Sequence, residues 1–494
     1  MGREIDRTRF TEEDFRAFSA KLHDDLRALS AVLDRPGFGH CRDTLGAELE
    51  LYITDPSGRA LGINRELRRR FGDSRLALEL NRYNLEYNFT PLALAGSPFG
   101  ALETAITELL ASLNREANPL GGCVLPIGIL PTLSEADLGN QVMTDEPRYR
   151  ALSDILIAMR GGSFDIAIDG KDPFAMSRAD LTAEGICTSF QIHYSFPIER
   201  FVDTWNAMVL VTPLVLALST NSPLLLGHRL WHETRIPLFK QATDGRRHNV
   251  PWHDLARVDL ANDWLRHTPH ELFAQRVYLY PPLIPLCSDE SPADELAAGR
   301  LPDLHELCLH NGTIWHWNRP IYSAEDGGHI RVEMRSLPAG PTAVDMAANA
   351  AFHVGLAVGL RDQVEALLPA LPFRYAAQNF YRAAREGPSA KLVWPSLNQN
   401  RLWERPVGAI AGSLLDTAQD GLAQLGVSSR DSDRMLTVIE ERIASQQSGS
   451  SWQLRAFDHF LTAMDRPRAL ARLFDHYRAL AGENQPVGGW EVPS

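Results

Sequence analysis

Cysteine is scarce. The 494 residues hold five (Cys41, Cys123, Cys187, Cys287 and Cys308), scattered, odd in number and without a C-x-x-C pair. That excludes a disulfide framework and a zinc site of clustered thiols; it fits reduced thiols, and a cytoplasmic location is expected. Positive charge is in deficit as well. The formal net charge is -13 and no basic stripe offsets it, which argues against a nucleic-acid partner. Long apolar runs are missing: the longest, Met208 to Leu218, is short for a bilayer and contains Pro213. The opening MGREIDRTRF is polar, so neither a signal segment nor a membrane partner is expected. There is no G-x-x-x-x-G-K-[ST] and no G-x-G-x-x-G after a strand, which removes the P-loop and Rossmann nucleotide sites.

What is present is the composition of a globular chain, 44% hydrophobic and 22% charged, with length for one large domain or two to three smaller ones. Thr11 to Leu33 has the helical stripe Phe15, Phe18, Leu22, Leu26, Leu29 behind an N-capping threonine. Alternating strands follow early and in the middle, among them SFDIAIDG and CTSFQIHYSF as one ribbon, and GTIWHWNRPIYS with HIRVEMRSLP around Asp326-Gly327-Gly328. Gly58 to Leu78 resists assignment, and Ser288 to Gly299 reads as an exposed loop. From Thr342 the pattern is helical almost to the end, with one apolar helix over Ala343 to Leu368. Strands adjoined by long helices predict an α+β fold, an antiparallel sheet with helices on its back. The expected divisions are an N-terminal helix (1–43), a core (44–370) and a helical C-terminal region packed on it (371–494).

The chemistry lies on the polar faces of these strands. In TLGAELELYI, Leu45, Ala47, Leu49 and Leu51 alternate with Gly46, Glu48, Glu50 and Tyr52. Glu48 and Glu50 therefore project from one face about 7 Å apart, and repel unless a cation or ordered water separates them. Alone, this is either a metal platform or a solvated sheet face. Three more strands repeat the arrangement: Glu86 in LELNRYNLEYNFTP with Glu79 upstream, Gln191 and His193, and Arg331, Glu333 and Arg335. If the faces adjoin, several carboxylates and one imidazole converge, an oxygen-rich set suited to Mg²⁺ or Mn²⁺. The interleaved arginines would balance a bound phosphate or carboxylate. Arg331 is read first as a partner for a neighbouring glutamate and second as a substrate contact. Trp315 and Trp317 are read as packing, and His305, His310 and His316 as structural.

Five motifs occur in order: G-x-E-x-E at Gly46 to Glu50, N-x-E-x-N-x-T-P at Asn84 to Pro91, Q-x-H at Gln191 to His193, L-S-T-N-S-P at Leu218 to Pro223, and R-x-E-x-R at Arg331 to Arg335. Together they make the chain resemble the glutamate–cysteine ligase family, over about Thr44 to Asn349. The resemblance implies a fold similar to the catalytic domain of glutamine synthetase, a curved antiparallel funnel holding ATP and Mg²⁺. It also implies small-molecule amino-acid and amine substrates, and leaves room for a homodimer. Carried across, Glu48, Glu50, Glu86, His193 and Glu333 match metal ligands, and Glu79 matches a further acidic position by its spacing from Glu86. Arg335 matches the arginine at the transferring phosphate, and Arg235 the receiver of the amino acid's carboxylate. The implied reaction is amide formation through an acyl phosphate, with the γ-carboxylate of glutamate joined to cysteine or a related amine. Two alternatives stand beside it: phosphoryl transfer to a guanidino or other acceptor, and nucleotide or metabolite sensing without catalysis.

Overall fold

The computed structural model describes residues 9–492 apart from 248, 250, 252 and 397–400; the polar opening residues 1–8 lie outside that set. Helix α1 (Glu12–Leu33) starts at Thr11, whose hydroxyl and Asp14 carboxylate form a capping box. It buries Phe18, Leu22, Leu26 and Leu29 of the expected stripe, together with Val32, while Phe15 at its start is only half-buried.

The centre of the molecule is an eight-stranded sheet in which every pair is antiparallel. Its strands are β1 (Thr44–Thr54), β2 (Leu76–Leu78), β3 (Asn84–Asn88), β4 (Leu92–Ala93), β5 (Cys123–Leu125), β6 (Phe190–Ser195), β7 (Asn318–Ser323) and β8 (His329–Met334). The order is β7-β8-β6-β1-β3-β2, with β4 and β5 pairing to the two ends of β1. Alternation gives each strand one face in the core. Leu49 and Leu51 of β1, Ile192 and Tyr194 of β6, and Val332 and Met334 of β8 are all fully buried in one contiguous apolar cluster.

Two helices share that cluster, α2 (Phe201–Ser219) and α3 (Ala343–Leu360). The segments Ile198–Ser219 and Ala343–Ala370 are long and apolar enough to cross a membrane, which the run around Met208 alone is not. They are 89% and 94% buried within the fold, the signature of core helices. Beyond them, α4 (Leu415–Gln424) packs on α3.

Several local expectations are corrected. The ribbon partner of Phe164–Ile168 is Phe174–Arg178, in a separate hairpin, while Phe190–Ser195 joins the main sheet. The unassigned stretch after Gly58 contains the helix Asn64–Phe71 and then β2. The acidic loop after Ser288 carries a short helix, Pro292–Ala297, capped by Ser291. The apolar helix from Ala343 ends at Leu360, where the polar Arg361-Asp362-Gln363 tightens into a 3₁₀ turn. The region expected to be helical also contains a hairpin, Lys391–Trp394 with Trp403–Pro406, held by Asn379, whose side chain bonds both N and O of Val393. Strand β7 begins only at Asn318, and Trp317 turns into the core against Phe239 and Phe380.

Candidate active site

The sheet register aligns the polar side chains in rows. Across four strands run Arg319 of β7, Glu333 of β8, His193 of β6 and Gly46 of β1. A Cβ at Gly46 would stand 3.3 Å from that of His193, so glycine leaves the imidazole its place. Farther along β1, Glu48 lies opposite Gln191, and Glu50 opposite Glu86 on β3. Glu79 follows β2 directly. The face formed this way lines a cavity of about 550 Å³, whose walls include Glu48, Glu50, Glu79, Glu86, Glu333 and Arg335.

Two acid groups form here, and all their members except His193 line the cavity. Glu48, His193 and Glu333 offer ligand atoms within 4.8 Å of one another, and so do Glu50, Glu79 and Glu86. The second triad is oxygen only. Burial and then mutual repulsion push Glu50 and Glu86 up to about 8 and Glu79 to about 7. Glu50 is held by Ser189 N–H (2.6 Å) and the Gln191 amide (3.0 Å), and Glu86 by the Asn88 amide (3.0 Å). In the first triad burial also raises the carboxyls, but positive neighbours outweigh it. His193 draws Glu48 down, and Arg319, Arg335 and His193 draw Glu333 below the usual carboxylate range.

These residues fit a hard divalent cation. His193 Nε2 is buried 3.1 Å from Glu48 Oε1 and 3.7 Å from Glu333 Oε1, within ion-pair reach of both. An imidazole nitrogen between two carboxylates has the donor chemistry of a mixed N/O metal site, and the glutamate triad that of an oxygen site. One contact works against ligation: Arg331 Nε donates to His193 Nδ1 at 3.2 Å. Ligation through Nε2 would put the ring hydrogen on Nδ1, so Arg331 must then turn away.

The arginines divide differently from expectation. Arg335 lines the cavity, donates to Gln191 Oε1 (2.5 Å) and sits 3.2 Å from Glu333 Oε1. Gln191 thus couples Arg335 to Glu50. Arg319, unassigned from sequence, grips Glu333 with both Nε (2.5 Å) and Nη2 (2.9 Å). Its signal was present: Arg319 and Glu333 are equidistant from the turn residue Asp326, which makes them hairpin partners. Among the described residues Arg331 pairs with no glutamate and is not on the cavity wall; it lies between His193 and His329. The carboxylate-receiving role expected of Arg235 is also corrected. Arg235 is 1% exposed, bound to Glu233 (2.6 Å) and to Ser336 O (2.7 Å), and is not among the cavity-lining residues. The cause is Glu233, which is fully buried and needs a cation beside it. A further cavity carboxylate, Glu184, lies in an aperiodic stretch that offered no signal.

Comparison with solved structures gives a glutamate–cysteine ligase from Francisella tularensis in complex with AMP, at 14% identity and TM-score 0.54, covering 92% of this chain and 91% of that one. A bifunctional glutathione synthetase from Pasteurella multocida matches at 13% identity and TM-score 0.46, over 94% of this chain and 55% of that one. The ligase PafA in its complex with the ubiquitin-like protein Pup matches at 11% identity and TM-score 0.36, over 87% and 72%. Such identities speak for the fold alone, and only the first does so at a useful level of similarity. Sequence comparison with curated proteins gives no match. The model of glutamate–cysteine ligase family 2, however, matches residues 44–455, which includes every strand of the sheet and both acid triads. The chain belongs to the glutamate–cysteine ligase family 2, and with it to the carboxylate–amine ligases.

Proposed function

We propose that the chain joins a carboxylate to an amine at the expense of ATP, through an acyl phosphate, with the γ-carboxylate of glutamate as donor and cysteine or a related amine as acceptor. The observation that carries this reading is the convergence of the five glutamates of two acid triads and of Arg335 on one cavity. A carboxylate has no good leaving group at neutral pH, so it must be activated before an amine can displace anything from it. Phosphorylation supplies the leaving group, and its cost in charge is met by cations at the moving oxygens.

In this reading the Glu50–Glu79–Glu86 set and the Glu48–His193–Glu333 set hold Mg²⁺, with Mn²⁺ as substitute. Divalent ions bound there would neutralise and align phosphate oxygens. Arg335, braced by Gln191 and Glu333, presents fixed positive charge to the group in transfer. Arg319 holds Glu333 in its ionised form. No protein nucleophile is required.

The test is release of ADP and phosphate by the purified protein with Mg²⁺, ATP and pairs of amino acids or amines. Turnover should require both partners and fall at least about 100-fold, some 2.7 kcal/mol of barrier, in Glu50→Gln and Glu333→Gln. ATP binding without ADP release from any pair would defeat the proposal. A stable phosphorylated product would replace it with phosphoryl transfer.

A further inference from the structure

Two cavity carboxylates belong to neither acid triad, Glu146 and Glu184; Glu146 is already paired with Arg65 at 2.8 Å. Glu184 stands on a tight turn: its N–H donates to Leu181 O and its carbonyl accepts from Cys187 N–H, each at 2.9 Å. The turn is fixed from below. A Cβ at the neighbouring Gly185 would lie 2.7 Å from Asn81 Nδ2, and the same Asn81 amide holds Thr182 O at 3.0 Å. The Glu184 backbone is thereby anchored while its side chain faces the cavity.

Among the described residues, no hydrogen bond or ion pair engages the Glu184 carboxylate. Burial first, and then repulsion by Glu79, push its carboxyl up to about 8, while Arg335 attracts it. A carboxylate half-withdrawn from water with no partner is costly, and the cost is recovered only when a cation or donor arrives. A single carboxylate outside both triads is a poor site for a divalent ion, which wants six or so oxygens. It is a sufficient site for an ammonium group, a monocation with N–H donors. The attracting neighbour, Arg335, is also the residue assigned to the transferring phosphoryl group.

Resting on the ligase reading, we propose that Glu184 receives the ammonium group of the acceptor amine and positions its nitrogen on the Arg335 side of the cavity. Glu184 thus separates the acceptor's subsite from the metal-holding carboxylates, and restricts acceptors to amines that arrive charged.

The test compares acceptors that differ in charge. With ATP, Mg²⁺ and glutamate, wild type and Glu184→Gln are assayed with cysteine, alanine and ethylamine, whose amino groups are protonated at neutral pH, and with hydroxylamine, whose nitrogen is not and which traps an acyl phosphate as a hydroxamate. Glu184→Gln should raise KM at least about tenfold, the equivalent of 1.4 kcal/mol, for whichever cationic amine the wild type uses. Hydroxamate formation should stay within about twofold of wild type, and Glu184→Asp, which keeps the charge, should recover part of the loss. Equal loss with both acceptor types would overturn the proposal in favour of a metal-holding or structural role. An unchanged KM in Glu184→Gln would overturn it outright. If wild type forms ADP with an amine but no hydroxamate, the acyl-phosphate step is wrong and this assignment falls with it. If wild type forms neither, the ligase reading itself has failed.

Discussion

Glu50 and Glu86 stand directly opposite each other on the antiparallel strands β1 and β3. Like charges in that position destabilise a sheet; burial in the cavity is the larger effect and, with repulsion from Glu86 at Glu50 and from Glu48 and Glu79 at Glu86, it pushes both carboxyls up to about 8. The pair is tolerable only with protons or a cation between the two side chains. Glu86→Gln should therefore raise the denaturation midpoint of metal-free protein. The same change should remove the share of the Mg²⁺ or Mn²⁺ stabilisation that the Glu50–Glu79–Glu86 set gives, about 2.7 kcal/mol at a hundredfold excess over its Kd, and leave that of Glu48–His193–Glu333. Melting curves with EDTA and with each metal would show both effects; a metal-induced shift in Glu86→Gln as large as that of wild type would mean that this triad is not a metal site.

Arg331 and His193 give a second prediction, of opposite sense to the one made from sequence. Arg331 is half-buried, and its Nε donates to the ring nitrogen that must carry hydrogen if Nε2 binds a metal. Arg331→Met removes that competitor while keeping the apolar stem. Metal affinity, read from the same melts or by calorimetry, should hold or rise, and KM for the carboxylate substrate should change by less than about threefold, or 0.7 kcal/mol. A large rise in KM would return Arg331 to the substrate.

These two sites show what the sequence could and could not carry. Strand alternation was enough to place Glu48, Glu50, Glu86, His193 and Glu333 on polar faces, because a period of two leaves one choice of side. It was also enough, with the turn at Asp326, to reach Arg319, which escaped because WHWNRP reads as an aromatic stretch first. Arg235 could not be placed by pattern, since its fate depends on the buried Glu233 two residues away and on Ser336 from a distant segment. Glu184 was invisible for a related reason: its turn is held by Asn81, about a hundred residues earlier, through a contact no local period encodes. The helical rear of the molecule was legible as apolar composition, whereas the hairpin Lys391–Trp394 with Trp403–Pro406 rests on tertiary contacts, from Asn379 to Val393 and from Arg382 to Glu404.

A pH prediction comes from Asp25, on α1. It is 1% exposed and accepts from Leu307 N–H at 2.8 Å. Burial pushes its carboxyl up from 3.8 to about 7; the Leu307 N–H lowers it, and Glu306 and Glu290 raise it further. Since the folded value lies above the unfolded one, the native state holds a proton that the unfolded chain has released. The Asp25 contribution is therefore complete at acid pH and is lost as pH rises through this interval. Asp25→Asn keeps an acceptor for Leu307 and cannot ionise. Urea midpoints should show the variant more stable than wild type at about pH 8, with the difference gone at about pH 4. Parallel pH profiles for the two proteins would refute the assignment.

The last prediction concerns the contact by which the C-terminal helices hold the core. Helix α4 crosses α3 so closely that a Cβ at Gly421 would lie 2.0 Å from Gly355 O and 2.6 Å from Gly359 N, while one at Gly359 would lie 2.1 Å from Thr417 O. The obstructing atoms are backbone, so no side-chain rotation relieves the overlap; the helices must separate. Gly421→Ala should cost about 1–3 kcal/mol, the usual range for overpacking a well-fitted core. Since α3 begins only a few residues after Arg335, separation should also lower turnover more than it raises KM for ATP. Gly412, at the end of Val407–Gly412, has nothing within 4 Å of a Cβ and a negative φ. Gly412→Ala should accordingly be neutral or gain about 0.4–1 kcal/mol through the unfolded chain. Urea denaturation of the two variants separates the readings, because helix propensity alone would stabilise both, and only the backbone contact sets them in opposite directions.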